Sequence, residues 1–179
     1  MEINLRLIES SVEFSGQKNL TVLGLGSNKG DSIGILQEAV VCLKDVLGEV
    51  LQAPVYRSAA LYVTEQADFF NTAVCGVYEK TPYDLLKIIH QIEARFGRDR
   101  RYERRWGERT LDIDILLFGD LWVKEEPVLE IPHPRLKERR FALAPLLDIL
   151  PDAKDPLTGQ PYGIFLEKVI SQGLWPAGC

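Results

Sequence analysis

The sequence predicts an α+β fold, with helices packed on the faces of an antiparallel sheet, and three observations predict it. Between residues 20 and 118, strand-like and helix-like periodicities alternate in the order βαββαβ. The helical patterns fall between strands instead of collecting at one end of the chain. No internal repeat or Pro/Gly/Ser-rich linker interrupts the 179 residues, which are enough to bury one core. That order is the ferredoxin-like sandwich, expected here to continue into a hairpin and C-terminal helices. Residues 20–179 are read as a single domain, and residues 1–19 as an N-terminal extension with no assigned role.

Each element has a local reason. Leu20–Leu25 is an apolar run that ends in the turn-prone Gly24-Leu-Gly-Ser-Asn28, so it reads as a strand entering a tight turn. Ile33, Leu36, Val40, Leu43 and Leu47 then recur at intervals of three and four. This is an amphipathic helix capped near Asp31 or Ser32 and stopped by Gly48. Val50–Tyr62 and Phe69–Tyr78 are rich in β-branched and aromatic residues and read as two strands around a loop at 63–68. Thr81-Pro82 opens a second helix with an N-cap, a first-turn proline and Asp84 three residues on. Its buried stripe is Leu85, Ile89, Ile92 and Phe96, and Gly97 ends it. Leu111–Phe118 is an apolar strand, 120–131 a small hairpin, and 141–150 and 162–171 are helical segments.

Bulk properties exclude several classes. The net charge of −5 argues against a dedicated nucleic-acid binder. Residues 1–19 carry charges throughout and contain no long apolar run, so they read as neither signal peptide nor membrane span. Cys42, Cys75 and Cys179 lack metal-ligand spacing and are odd in number. Reduced thiols in a cytoplasmic protein are expected.

The chemistry concentrates between Arg95 and Phe118. Residues 95–109 hold seven arginines (95, 98, 100, 101, 104, 105 and 109) against three acids, a local charge of +4, while the rest of the chain carries −9. Such a cluster in an acidic protein suits a small polyanion. Arginine suits phosphate in particular, because its planar fork donates paired hydrogen bonds and never loses its charge. In Thr110-Leu-Asp-Ile-Asp-Ile-Leu-Leu-Phe118 the strand period of two places Leu111, Ile113, Ile115 and Leu117 on one face. Asp112 and Asp114 share the other face, roughly 7 Å apart. Two carboxylates so placed in an apolar strand repel one another and lose hydration unless a cation joins them. Mg²⁺ takes one or two carboxylates together with phosphate oxygens and water, and two such ions can clamp a transferring phosphoryl group. No GxxxxGK[ST] stretch occurs, which excludes a P-loop. Gly24-Leu-Gly26 fits tight packing and ligand approach equally well.

With these residues in view, Arg105-Trp-Gly-Glu-Arg-Thr-Leu-Asp-Ile-Asp-Ile-Leu-Leu-Phe-Gly119 resembles the signature of the 6-hydroxymethyl-7,8-dihydropterin pyrophosphokinases of folate biosynthesis. The resemblance extends to Leu25-Gly-Ser-Asn28, Phe69-Phe-Asn-Thr-Ala-Val74, Ile92-Glu93 with Gly97-Arg98, and Ile131-Pro-His-Pro-Arg135 with Arg139 and Phe141, in the family's order. It implies ATP as co-substrate and two Mg²⁺ ions on Asp112 and Asp114. It also implies catalytic phosphate contacts from Arg98 and Arg109, aided by Arg100, Arg105 and Arg139, with His133 near the nucleotide and Glu93 and Ile115 beside the adenosine. The pterin would lie between Phe69 and Phe141 with Trp106 closing over it. Asn71 would pair with the ring's polar edge, and backbone groups near Ser58, Ala59 and Leu61 would complete recognition. Ala59 and Ala60 stand where many members carry prolines. The resemblance implies a cytoplasmic enzyme acting on small molecules, without nucleic-acid or membrane partners, and a monomer is expected. Two rivals share parts of this pattern. An RNA-binding module on the same architecture would lack a reason for the paired aspartates. A sugar-nucleotide transferase with an Asp-x-Asp motif would leave Trp106 and Asn71 unexplained.

Overall fold

The computed structural model describes residues 18–60, 65–98 and 107–178. Its main sheet is built from β1 (Asn19–Ser27), β2 (Leu51–Gln52), β3 (Tyr56–Ser58), β4 (Phe69–Tyr78), β5 (Asp112–Phe118) and β8 (Trp175–Pro176), and β6 (Val123–Glu125) and β7 (Leu129–Ile131) form a separate hairpin. The spatial order is β5-β1-β4-β3-β8, with β2 also on β4, and every pairing is antiparallel. Helices α1 (Ser32–Leu47) and α2 (Pro82–Arg95) follow β1 and β4, which gives the expected βαββαβ order with its second strand divided into β2 and β3. After the hairpin come a 3-10 turn (Leu136–Glu138), α3 (Arg140–Ile149) and α4 (Tyr162–Lys168).

The helix caps are those the sequence predicts. Asp31 Oδ1 accepts the Gly34 N–H at 3.1 Å, and Thr81 Oγ1 accepts the Asp84 N–H at 3.1 Å. Each satisfies an amide that has no partner inside its helix. α1 and α2 seal one face of the sheet, where Leu36, Leu43, Leu85 and Ile89 bury against Leu23, Leu25, Ile113 and Ile115. On the opposite face, α3 and Tyr162 cover Val22, Ala73, Cys75 and Leu116. Cys75 is buried and Cys42 half-buried, and both are free thiols. Among the described residues no helix is long and apolar enough to cross a membrane.

Three local expectations are corrected. Of the strand expected over 50–62, residues 61 and 62 lie outside the described residues, and the rest holds two short strands, β2 and β3, separated at Ala53-Pro54-Val55, where proline offers no amide to the ladder. Leu117 does not share a face with Leu111, Ile113 and Ile115. Leu23 pairs with Ile115 but Val22 with Leu117, so Leu116 is an extra residue and the alternation slips there. Leu117 therefore joins the α3 layer, and Phe118 takes the α1/α2 side. The last helix stops at Lys168, and the chain then adds β8 beside β3.

Candidate active site

A cleft of about 320 Å³ opens on the α3 side of the sheet. Its floor is the end of β1. Gly24 lies between Asp114 and Ala73, and Gly26 between Asp112 and Asn71. A Cβ on Gly24 would stand 3.2 Å from Leu116, and one on Gly26 would stand 3.3 Å from Asn71 Oδ1. Side chains there would fill the floor, so the two glycines keep it open.

One end of the cleft is charged. Asp112 and Asp114 project into it from β5, with Arg109, His133, Arg135 and Arg139 around them. Arg109 Nη1 donates to Asp112 Oδ2 at 2.5 Å, and Arg98 donates to Oδ1 from behind. Burial would raise the Asp112 carboxyl, but the Arg109 and Arg98 guanidiniums override it and hold the group below the usual carboxylate range. Asp114 behaves oppositely. Burial, followed by the Asp112 charge, pushes it up to about 7. Forty per cent of its side chain is exposed to the cleft, and solvent screens part of that effect.

His133 is set by the bulge. The Leu116 carbonyl accepts the His133 N–H at 3.1 Å and docks the 131–135 loop against β5. The Arg135 N–H donates to His133 Nδ1 at 3.2 Å, so the neutral ring carries its proton on Nε2, which lies 3.6 Å from Asp114 Oδ2. Burial, reinforced by Arg139 and Arg135, pushes His133 down to about 4. The Nε groups of Arg109 and Arg139 are buried without a partner among the described residues. Buried donors of this kind suit an incoming anion.

The other end is aromatic. Phe69 and Phe141 line it together with Ser58, Ala59 and Asn71. Asn71 is buried, and its Nδ2 donates to Ser58 Oγ at 3.0 Å, which fixes the amide's orientation.

The structure thus brings together Arg109, Asp112, Asp114, His133, Arg139, Ser58, Ala59, Phe69, Asn71 and Phe141 of the residues singled out from the sequence. It does not place Arg98, Glu93 or Ile115 on the cleft surface. Glu93 is 1% exposed, and its Oε1 accepts from Arg98 and from the Ile113 N–H at 2.9 Å. Ile115 belongs to the α1/α2 core. Leu61, Arg100, Arg105 and Trp106 lie outside the described residues. Gly24 and Gly26, which the sequence left open between tight packing and ligand approach, lie on the cleft floor, and Arg135 lines the cleft. Asn28 Oδ1 accepts the Arg109 N–H at 2.7 Å, the Asn28 N–H donates to the Arg109 carbonyl at 3.0 Å, and Nδ2 donates to the Ala67 carbonyl at 3.2 Å. The turn after β1 signalled Asn28 only as part of a motif.

Paired carboxylates among arginines, beside an aromatic and amide-lined slot on an antiparallel α+β sheet, define a phosphoryl-transfer enzyme. The model of the 7,8-dihydro-6-hydroxymethylpterin-pyrophosphokinase family matches residues 22–151, and the chain belongs to that family. It is 36% identical over 168 residues to the 2-amino-4-hydroxy-6-hydroxymethyldihydropteridine pyrophosphokinase of Synechocystis sp., covering 93% of this chain and 85% of that protein. The enzyme of that name from Methylorubrum extorquens is 42% identical over 132 residues, 73% of this chain and 82% of that one. The chain also matches larger proteins, and there it spans only part of their length: 23% of the folic acid synthesis protein of Schizosaccharomyces pombe. The wild-type Plasmodium falciparum HPPK-DHPS structure with SDX-DHP shares the fold at a TM-score of 0.68 and 16% identity, covering 92% of this chain and 47% of that one.

Proposed function

We propose that residues 20–179 form one catalytic domain that transfers the terminal diphosphate of ATP to the hydroxymethyl group of 6-hydroxymethyl-7,8-dihydropterin and releases AMP. The enzyme acts as a cytoplasmic monomer in folate biosynthesis. The observation that carries this reading is the two-ended cleft: a cationic, carboxylate-bearing end for the polyphosphate joined to an aromatic, amide-bearing end for a flat heterocycle.

The residues fit magnesium. Asp114 is pushed up to about 7 by burial beside a second carboxylate, a disadvantage that a divalent cation would remove, and the donors are hard oxygens. Asp112 and Asp114 would hold two Mg²⁺ ions. When bound, these supply charge neutralisation to the transferring phosphates. Every other part falls to the chain's own groups. Arg109 and Arg139 bind phosphate oxygens, His133 donates from Nε2 beside Asp114, and Arg98 holds Asp112 in place from behind. Phe69 and Phe141 sandwich the pterin, and Asn71 and Ser58 read its polar edge. β5 is an edge strand whose Ile113 N–H is taken by Glu93. Two residues on, the Ile115 backbone offers the adenine that same edge. Leu61, Arg100, Arg105 and Trp106 complete the two subsites in this reading.

With both substrates held, the hydroxymethyl oxygen attacks the β-phosphorus in line and its O–H proton is released to water. The bond from that phosphorus to the α–β bridging oxygen breaks, and AMP leaves with it. Positioning and electrostatic stabilisation supply most of the acceleration. The test is incubation with ATP, Mg²⁺ and hydroxymethyldihydropterin. AMP should form in step with the pterin consumed. ADP formed without pterin, or no nucleotide turnover, would reject the reading.

A further inference from the structure

The family match ends at residue 151, yet the segment beyond α4 reaches both walls of the cleft. α3 begins at Arg140 with no side-chain cap from its own N-cap residue, Arg139. The missing acceptor comes from far along the chain. Gln172 Oε1 accepts the Arg140 N–H at 2.9 Å, while Gln172 Nε2 donates to the Glu138 carbonyl at 2.8 Å. One amide therefore clasps the backbone on both sides of Arg139. Arg140 returns the contact, with Nη1 donating to the Ile170 carbonyl at 2.9 Å and the Gln172 carbonyl at 2.7 Å. Arg139 itself is 9% exposed, lines the cleft and lies over the Phe141 ring at 5.4 Å. The chain then crosses to the other wall. Trp175 and Pro176 pair with Arg57, the neighbour of Ser58, and with Tyr56, and the Ala177 N–H donates to the Val55 carbonyl at 2.8 Å.

We infer that Gln172 is a positioning residue for the proposed reaction, holding Arg139 at its substrate-binding geometry, and that residues 170–177 act as a strap between the cleft walls. The inference rests on the pyrophosphokinase reading of this cleft. A helix start fixed only by its own backbone has several unsatisfied amides, and its first turn frays. A two-point amide clasp removes that freedom at the residue whose guanidinium meets the ligand, and small displacements of such groups weaken binding steeply.

The experiment is a double-mutant cycle in the full chain, comparing wild type, Gln172→Ala, Arg139→Ala and the double variant. Two quantities are read: steady-state kcat and KM for both substrates, and affinity for a non-hydrolysable ATP analogue with Mg²⁺ by calorimetry. In the Arg139 background, Gln172→Ala should lower analogue affinity and kcat/KM about tenfold, but less than twofold once Arg139 is alanine, because coupled residues do not add. Gln172→Glu, which keeps the acceptor for Arg140 and loses the donor for Glu138, should fall between. An equal loss in both backgrounds marks a merely structural role and overturns the inference, as does no loss in either. The binding arm separates the two readings. A wild-type chain that releases no AMP defeats the proposed activity, while the cycle in analogue affinity still decides whether Gln172 acts through Arg139.

Discussion

The two faces of β5 treat buried carboxylates in opposite ways. On the α1/α2 face, Glu93 is closed off. Its oxygen takes the Arg98 guanidinium and the Ile113 amide, and no part of it reaches the cleft. On the α3 face, Asp114 stands beside a second carboxylate and opens to the cleft, with His133 Nε2 at 3.6 Å, and burial followed by the Asp112 charge pushes it up to about 7. A buried carboxylate satisfied within the protein holds the fold together, whereas one left wanting a cation is a binding group. β5 meets both: its Ile113 amide binds Glu93 from α2, and its own Asp114 side chain projects into the cleft.

The largest expected effect tests the open side. Asp114→Asn should lower kcat roughly a thousandfold, since a metal-holding carboxylate supplies several kcal/mol to the transition state. The melting temperature should stay level or rise, because a like-charge contact disappears. A variant that unfolds instead would erase the distinction between the faces. On the closed side, Glu93→Ala should destabilise the fold by about 3 kcal/mol, the usual consequence of removing one partner from a buried ion pair; it also takes the acceptor from the Ile113 amide. Urea unfolding measures it, and a loss under 1 kcal/mol would show that Glu93 is not the brace described.

A smaller effect sharpens the picture of the floor. In Gly26→Ala the new methyl stands 3.3 Å from Asn71 Oδ1, so the pterin KM should rise several-fold while the melting temperature moves by only a few degrees. The smallest effect concerns pH. A carboxyl raised from 3.8 to about 7 keeps its proton in the folded state where the unfolded chain has lost it. Its contribution to stability therefore falls as pH rises through that window. A divalent cation favours the charged form, so the rise in melting temperature produced by Mg²⁺ should be larger at pH 8 than at pH 5. His133, pushed down to about 4, should remain neutral at pH 5 in an NMR titration. With only two histidines in the chain, its resonance is readily assigned.

Much of this was legible in the sequence wherever a local rule decides the outcome. Phe69–Tyr78 is a strand over the span its composition predicts, and Asp31 and Thr81 cap the helices they were expected to cap. Asp112 and Asp114 meet in the cleft because strand alternation holds across them. It failed where a distant partner decides. The bulge at Leu116, which turns Leu117 to the other layer and lets the His133 loop dock, depends on register against β1. Glu93 is buried with its Oε1 on the Ile113 amide, a pairing across 20 residues that no local rule announces. Asn28, and Gln172 more than 30 residues from its partners, act through backbone groups that no spacing in the sequence displays.

The most direct test of the account is anomalous diffraction from crystals grown with Mn²⁺, a non-hydrolysable ATP analogue and the pterin. Two metal peaks should lie roughly 2.1 Å from carboxylate oxygens of Asp112 and Asp114, between the phosphates and the pterin hydroxymethyl group. Metal bound elsewhere, with those two carboxylates contacting no cation, would contradict it.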